Sequence, residues 1–452
     1  MPRRLTVRTS ALLAVALFAV ALFAGACAQS NDPGSDRELL AYIVGIKAID
    51  VHAHPMRYVA AGAPRDTDYD ALPLDGIPPF NVPYGVNPEH QHYREAQRAL
   101  FGASVTDTGK VFLKAMSGAR AETMAREGEH YGEWVLNKAG IDIMLANRVS
   151  MGAGLPAARF KWVPFVDALM LPLDTRTEAA RTPDTRALYP LEDKLLKRYL
   201  SDLGIAKIPA TLDAYEKQVV TATLERQRAG GAVGVKFEAA YLRSLDFQSA
   251  DAASARAIYA RYANGGTPTH AEYTLLEDYL FRVIAREAGR IGLTIQIHSL
   301  EGFGGFYSAE GAAPHHLEST FNDSTLRATN FVVTHGGWPR VDETLALLGK
   351  ANVYADISMM NVLADRASLV RTLRMWLAEY PDKVMFGTDA FDGGDLQGWE
   401  QGAWIAIRNT REALTSALTS MIRDGDISRD RAKQLARMVM RENAIRAYHL
   451  AQ

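Results

Sequence analysis

The sequence predicts an α/β chain whose parallel strands close into a (β/α)8 TIM barrel with large helical and loop insertions. Three observations point there. Eight short runs rich in β-branched and aromatic residues recur along the chain, each running into a loop. Helix-length segments separate the later runs, and strands alternating with helices argue for a parallel sheet. The chain has 452 residues, against the about 250 that eight such units need, so the excess belongs to insertions.

The first strand is expected over 48–54, ending in Asp50-Val51-His52-Ala53-His54 before Pro55 stops it. Side chains alternate along a strand, so His52 and His54 point the same way and can grip one cation. The second strand is Ile141–Asn147. The third, Lys161–Val166, is interrupted by Pro164. The fourth, Ala232–Glu238, puts Val233, Val235 and Phe237 on one face and Gly234, Lys236 and Glu238 on the other. The fifth and sixth, Leu293–His298 and Asn330–His335, each close on a histidine. The seventh is Asn352–Ile357, and the eighth, Lys383–Asp389, closes on an aspartate. Helices are expected at Val341–Leu348 and Leu369–Glu379.

The insertions should carry specificity, because barrel sites are built from loops at the strands' C-terminal ends. The longest runs from Pro55 to Gly140 and holds His90 and His92, placed as solvent-exposed or capping residues near a helix start. A second, about Asp174–Gly231, reads as mostly helical. The loop after His298 carries Gly302, Gly304 and Gly305, which allow mobility or close substrate approach, then His315-His316.

Four strands ending in His-x-His, His, His and Asp is not a pattern that ordinary core packing produces. Lys236 adds to it. A bare ammonium buried in a barrel is costly. Either a salt bridge to Glu238 or carboxylation of Lys236 by carbon dioxide, giving an anion able to bridge two cations, would offset that cost.

The order His52-x-His54, Lys236, His298, His335, Asp389 resembles the amidohydrolase superfamily of metal-dependent barrels. The resemblance runs from about Ala48 to the C-terminus. It implies a His-x-His at the end of strand 1, a lysine, often carboxylated, at strand 4 of two-metal members, histidines at strands 5 and 6, and an aspartate at strand 8. The runs Asp50–His54, His335-Gly336-Gly337 and Gly387-Thr388-Asp389 look most like the amidohydrolase-related branch. That branch holds hydrolases, lactonases, decarboxylases and some isomerases. Many of its members use one metal and lack the bridging lysine, so Lys236 leaves one and two ions both open. The implied ligands are His52, His54, Lys236, His298, His335 and Asp389. Zinc is the default ion for such N/O donors.

A cation held this way with an open position lowers the pKa of bound water towards ~7 and polarises a carbonyl. Asp389 would take the water's proton and pass it to the leaving group. His335 would bind a second metal or hydrogen-bond the substrate oxygen. The resulting expectation is a metal-dependent hydrolase of an amide, lactone or ester bond in a small molecule. A non-oxidative decarboxylase or sugar-acid isomerase uses the same scaffold, and a non-catalytic binding lipoprotein is a third reading, opposed by the intact ligand set. Arg148, Arg243 and Arg340, each just past a strand, are candidates for gripping a substrate carboxylate in two-point fashion. Glu238, His315 and Trp338 are further candidate substrate contacts.

The formal net charge is −2 with no basic stripe, which gives nucleic acid no purchase. Arg3, Arg4 and Arg8 precede an apolar run from Ala11 to Ala24, the layout of a secretory signal. Cys27, the single cysteine, follows small residues as in a lipoprotein signal, although Ala24 stands where leucine is usual. Lipidation at Cys27 and ordinary cleavage after Ala26 or Ala28 both fit. The reading is therefore a signal peptide over 1–26, a tether and lead-in over 27–45, and the barrel over 46–452. The mature protein would lie in the bacterial periplasm or be anchored to the outer membrane.

Overall fold

The computed structural model describes residues 36–60, 62–73, 87, 90–102, 110–182, 184–300, 308–393 and 398–451. The expected export signal, Cys27 and the glycines at 302, 304 and 305 lie outside them. All eight expected strands form: β1 Ala48–Ala53, β2 Ile141–Asn147, β3 Phe160–Val163, β4 Gly234–Phe237, β5 Thr294–His298, β6 Phe331–Thr334, β7 Val353–Asp356 and β8 Val384–Met385.

They lie in two parallel sheets, β1-β2-β3 and β4-β5-β6-β7-β8. Both edges of the first are bridged to the second. Trp162 pairs with Ala232 and Phe165 with Lys236 on one side, and Ala53 with Ala390 on the other. Across the latter, Val51 N–H donates to Phe386 O at 3.0 Å and His54 N–H to Ala390 O at 2.8 Å. Lys236 is in register with Gln296, and His298 with Thr334. Parallel pairing therefore carries the C-terminal ends of the strands, where the chemical side chains sit, to one side of the molecule.

The opposite side is filled by apolar groups. Ile49, Val51, Leu145, Val332 and Met385 pack with Ala444, Ala447 and Tyr448 of the C-terminal segment. Tyr448 also accepts a hydrogen bond from Gln296 Nε2 at 2.8 Å. Helices cover the strands. In Trp399–Arg423, Ala403, Ile407, Thr410, Leu414, Ala417 and Met421 are buried at three- and four-residue spacing, the core stripe of an amphipathic helix. Burying one leucine such as Leu414 contributes roughly 1.5–3 kcal/mol.

The helices expected at 341–348 and 369–379 are present, the second starting at Arg366 behind an Asp365 cap. The 174–231 insertion holds helices from Arg176, Tyr189 and Leu212. His90 caps the helix Gln91–Phe101, its ring accepting from His92 N–H. Every strand but β2 is shorter than expected, and for two the cause is plain. Pro164 has no N–H to continue β3, and β8 stops at Met385, where Phe386 N–H turns to Val439 O. Within the lead-in, Arg37–Val44 is a helix with Leu39 and Ile43 fully buried. No helix among the described residues is long and apolar enough to cross a membrane.

Candidate metal centre

Of the six expected ligands, His52, Lys236 and His298 lie in the last two residues of β1, β4 and β5, His54 and His335 directly follow β1 and β6, and Asp389 lies beyond β8. All six line one cavity of about 360 Å³. His52 Nε2 lies 2.9 Å from Asp389 Oδ1, and His54 Nε2 lies 3.4 Å from the same oxygen. These three donors are within 4.8 Å of one another. Tetrahedral ligands bonded at about 2.0–2.2 Å stand roughly 3.3–3.6 Å apart; the His54 contact has that spacing and the shorter His52 contact would open on binding, so the three donors could hold one divalent cation. His298 Nδ1 and His335 Nε2 are 3.1 Å apart, and His335 Nδ1 is 3.8 Å from Asp389 Oδ2. Lys236 Nζ faces His52 Nε2 at 3.2 Å.

Each ring is oriented through its other nitrogen. Gln296 Oε1 lies 3.2 Å from His52 Nδ1 and also accepts from Asn147 Nδ2 at 2.8 Å. A proton on Nδ1, shared with Gln296, would leave the Nε2 lone pair to the cavity. Asp70 Oδ2 holds His54 Nδ1 at 3.0 Å, and Ser358 Oγ holds His335 Nδ1 at 2.9 Å. Such outer partners fix tautomer and direction. Asp50, buried beneath, accepts from the N–H and hydroxyl of Thr388 and from His52 N–H, tying β1 to the end of β8.

Burial, reinforced by Lys236, pushes His52 down to about 4, and burial drives His298 and His335 well below the usual imidazole range. All three are neutral and able to donate a lone pair. For His54, burial opposes charge, but Asp70 and Asp389 outweigh it and push the ring up to about 10, so a cation bound there would displace the Nε2 proton. Asp389 is held well below the usual carboxylate range, because His335 and His52 outweigh its burial.

The backbone is strained at the same place. His335 and Asp389 adopt φ of 62° and 55°, a left-handed conformation that side-chain-bearing residues enter at a cost of order 1–3 kcal/mol. The two glycines after His335 continue it at 59° and 66°. A Cβ on Gly336 would stand 2.6 Å from the Trp376 ring, and one on Gly337 would stand 2.2 Å from Pro314. The His-Gly-Gly run is thus needed to swing His335 off β6 into the cavity.

The substrate candidates separate. Glu238 lines the cavity near His54 and Asp70. It makes no ion pair with Lys236, and burial, then Asp70, pushes its carboxyl well above the ordinary range. Arg148 does not line the cavity. Its guanidinium is fully buried and bonds Asp66 through both NH groups at 2.9 and 3.0 Å. Asp66→Ala should cost about 3–5 kcal/mol by leaving that cation without its partner. A denaturant midpoint equal to wild type would contradict this.

Arg243 is clamped by Glu277 and Asp278 at 2.8 and 2.7 Å and lines a neighbouring cavity of about 650 Å³. Arg340 and His315 meet Glu310 and Glu343 away from the metal cavity. Trp338 packs beside Leu300 and Met359. Sequence reasoning missed Asp70, Arg65 and Tyr241. Arg65 is an exposed cation lining the cavity. Tyr241 lines both cavities with its ring 4.4 Å from that of His298. Burial, then Glu238, holds its phenol well above the ordinary range, so it keeps its proton.

A family model described as amidohydrolase matches residues 204–450. Solved structures of the same fold include a protein from Lactobacillus casei assigned as a metal-dependent hydrolase. It is 15% identical with a TM-score of 0.57, covering 92% of this chain and 98% of that one. The glucuronate isomerase of Caulobacter crescentus is 12% identical with a TM-score of 0.55, covering 93% and 96%. The uronate isomerase of Thermotoga maritima is 14% identical with a TM-score of 0.53, covering 91% and 96%. No curated protein sequence matches the chain.

Proposed function

This chain belongs to the amidohydrolase family, and on that premise we propose that it is a metal-dependent hydrolase of an amide, lactone or ester bond in a small molecule. The observation that carries the reading is the convergence of His52 Nε2, His54 Nε2 and Asp389 Oδ1 inside the cavity. These residues would hold a divalent cation, with zinc the default. Such an ion, when bound, supplies a Lewis acid and an acidified water. We also read the two sheets as one closed (β/α)8 barrel, supported by the bridges at both edges.

The chain's own groups then divide the work. Asp389, ionised and within reach of the centre, accepts the water's proton and returns it to the leaving group. Tyr241 keeps its proton and donates a hydrogen bond to a substrate oxygen. Arg65 meets a substrate carboxylate at the mouth. Lys236, close against His52, is either carboxylated and a ligand, or a cation facing the developing charge. Mass spectrometry of the intact protein under native conditions separates the two by the mass of carbon dioxide.

A sugar-acid isomerase is the second reading, favoured by the two isomerases among the structures of like fold. A panel of amides, lactones, esters, carboxylated aromatics and uronates, run on metal-replete protein in ¹⁸O-labelled water, tests both. Label in a carboxylate product is the expected result. Ketose formation without label would move the chain to the isomerases.

We further propose export. The cationic then apolar N-terminus should be removed, leaving a lipidated Cys27 as the mature first residue. Intact mass of protein from a bacterial envelope fraction checks it. Retention of residues 1–20 would sink export, and an unmodified Cys27 would sink the anchor.

A further inference from the structure

On the outer surface, away from the catalytic cavity, two histidines and two glutamates meet. His315 and His316 sit on the short turn Pro314–Leu317, their ring centroids 4.3 Å apart. The Nε2 atoms of both rings lie 3.6 Å from the same oxygen, Glu310 Oε1. That is too long for a good hydrogen bond. It matches the roughly 3.3–3.6 Å that separates two ligands on a tetrahedral ion with bonds of about 2.0–2.2 Å. All three donor atoms fall within 4.8 Å of one another.

Two of the three donors are held from behind. Glu343 Oε2 lies 3.0 Å from His315 Nδ1, which turns His315 Nε2 toward Glu310. Arg340 donates to Glu310 Oε2 at 2.9 Å and to Glu343 Oε1 at 3.3 Å. Glu310 Oε1 is thereby left to face the imidazoles. A carboxylate behind a histidine, and a cation behind a carboxylate, are the outer contacts that orient metal ligands. Glu310 and His315 are 62% and 48% exposed along their side chains, so an ion enters from solvent and waters complete its shell.

We propose that Glu310, His315 and His316 form a second metal site, distinct from the catalytic centre, which takes a divalent first-row transition cation such as zinc. Glu310 and the histidines lie between β5 and β6, whereas Arg340 and Glu343 lie after β6. An ion there joins Glu310 to the turn Pro314–Leu317, and through Glu343 and Arg340 to the helix Val341–Leu348.

The test is zinc stoichiometry on the full chain at buffered micromolar free zinc, by elemental analysis after equilibrium dialysis. His315→Ala/His316→Ala should bind one zinc fewer than wild type, and Glu310→Gln should weaken the same equivalent at least tenfold. The catalytic centre should keep its metal in both. As a check independent of that centre, His52→Ala/His54→Ala should still bind zinc, and cobalt substituted there should give a visible absorption band that His316→Ala removes. Equal stoichiometry in wild type and His315→Ala/His316→Ala would overturn the site and leave a surface ion-pair cluster only. Since Glu310, His315 and His316 are not buried, the variants at these three positions should melt cooperatively within a few degrees of metal-free wild type.

Discussion

His52→Ala combined with His54→Ala should empty the proposed metal centre. Two of the three convergent donors disappear, and Asp389 Oδ1 alone remains of that set. Losing one outer partner of a metal ligand typically costs about 10–100-fold in affinity, and losing two direct ligands must cost more. The loss also reaches the partners behind the rings. Gln296 Oε1 keeps Asn147 as a donor, whereas Asp70 loses the only ion-pair partner it has among the described residues. Each buried polar group left unsatisfied costs about 1–3 kcal/mol, so a lower melting point should accompany the loss of metal. Elemental analysis beside a thermal melt reads both. A folded double variant with wild-type metal content would remove the central argument for this site.

Much of that centre was legible because strand chemistry is local. A period of two puts His52 and His54 on one face, and a strand's end is marked by the residues that cannot continue it. The same rule could have found Gln296, two positions before His298 and in register with Lys236. It could also have found Asp50, two before His52. What local pattern cannot carry is pairing across long separations. Arg148 directly follows β2 and so reads as a residue of the mouth. Asp66, 82 positions earlier, instead folds back to bury it. Asp70 and Tyr241 enter from loops whose composition resembles any other. The short β8 has a like cause. Lys383–Asp389 has strand composition, but Phe386 spends its N–H on Val439 and Asp389 turns left-handed, so the ladder ends after two residues.

Asp389→Asn should lower the catalytic rate by about 10²–10⁴-fold, the range that general acid–base help supplies. Asparagine is the informative replacement because of the backbone. Residue 389 has φ of 55°, and asparagine, like aspartate, enters the left-handed region more readily than other side chains. The hydrogen bond from the Asp389 N–H to His52 O at 2.7 Å is also untouched. The amide oxygen can stay toward His52 and His54, where Asp389 Oδ1 now lies at 2.9 and 3.4 Å. What is lost is the negative charge and the oxygen on the His335 side that takes a proton. The fall should therefore appear in kcat with KM changed less, because the missing interaction belongs to the transition state. Metal content measured on the same sample separates a lost base from a lost ligand. A metal-replete variant turning over at the wild-type rate would exclude Asp389 as the proton acceptor. Tyr241 and His335, two other polar side chains lining the cavity, would then be next in line, and Tyr241→Phe would be the variant to compare. Carbon dioxide release without incorporation of water, lost in the same variant, would keep Asp389 in its role and turn the reaction into a decarboxylation.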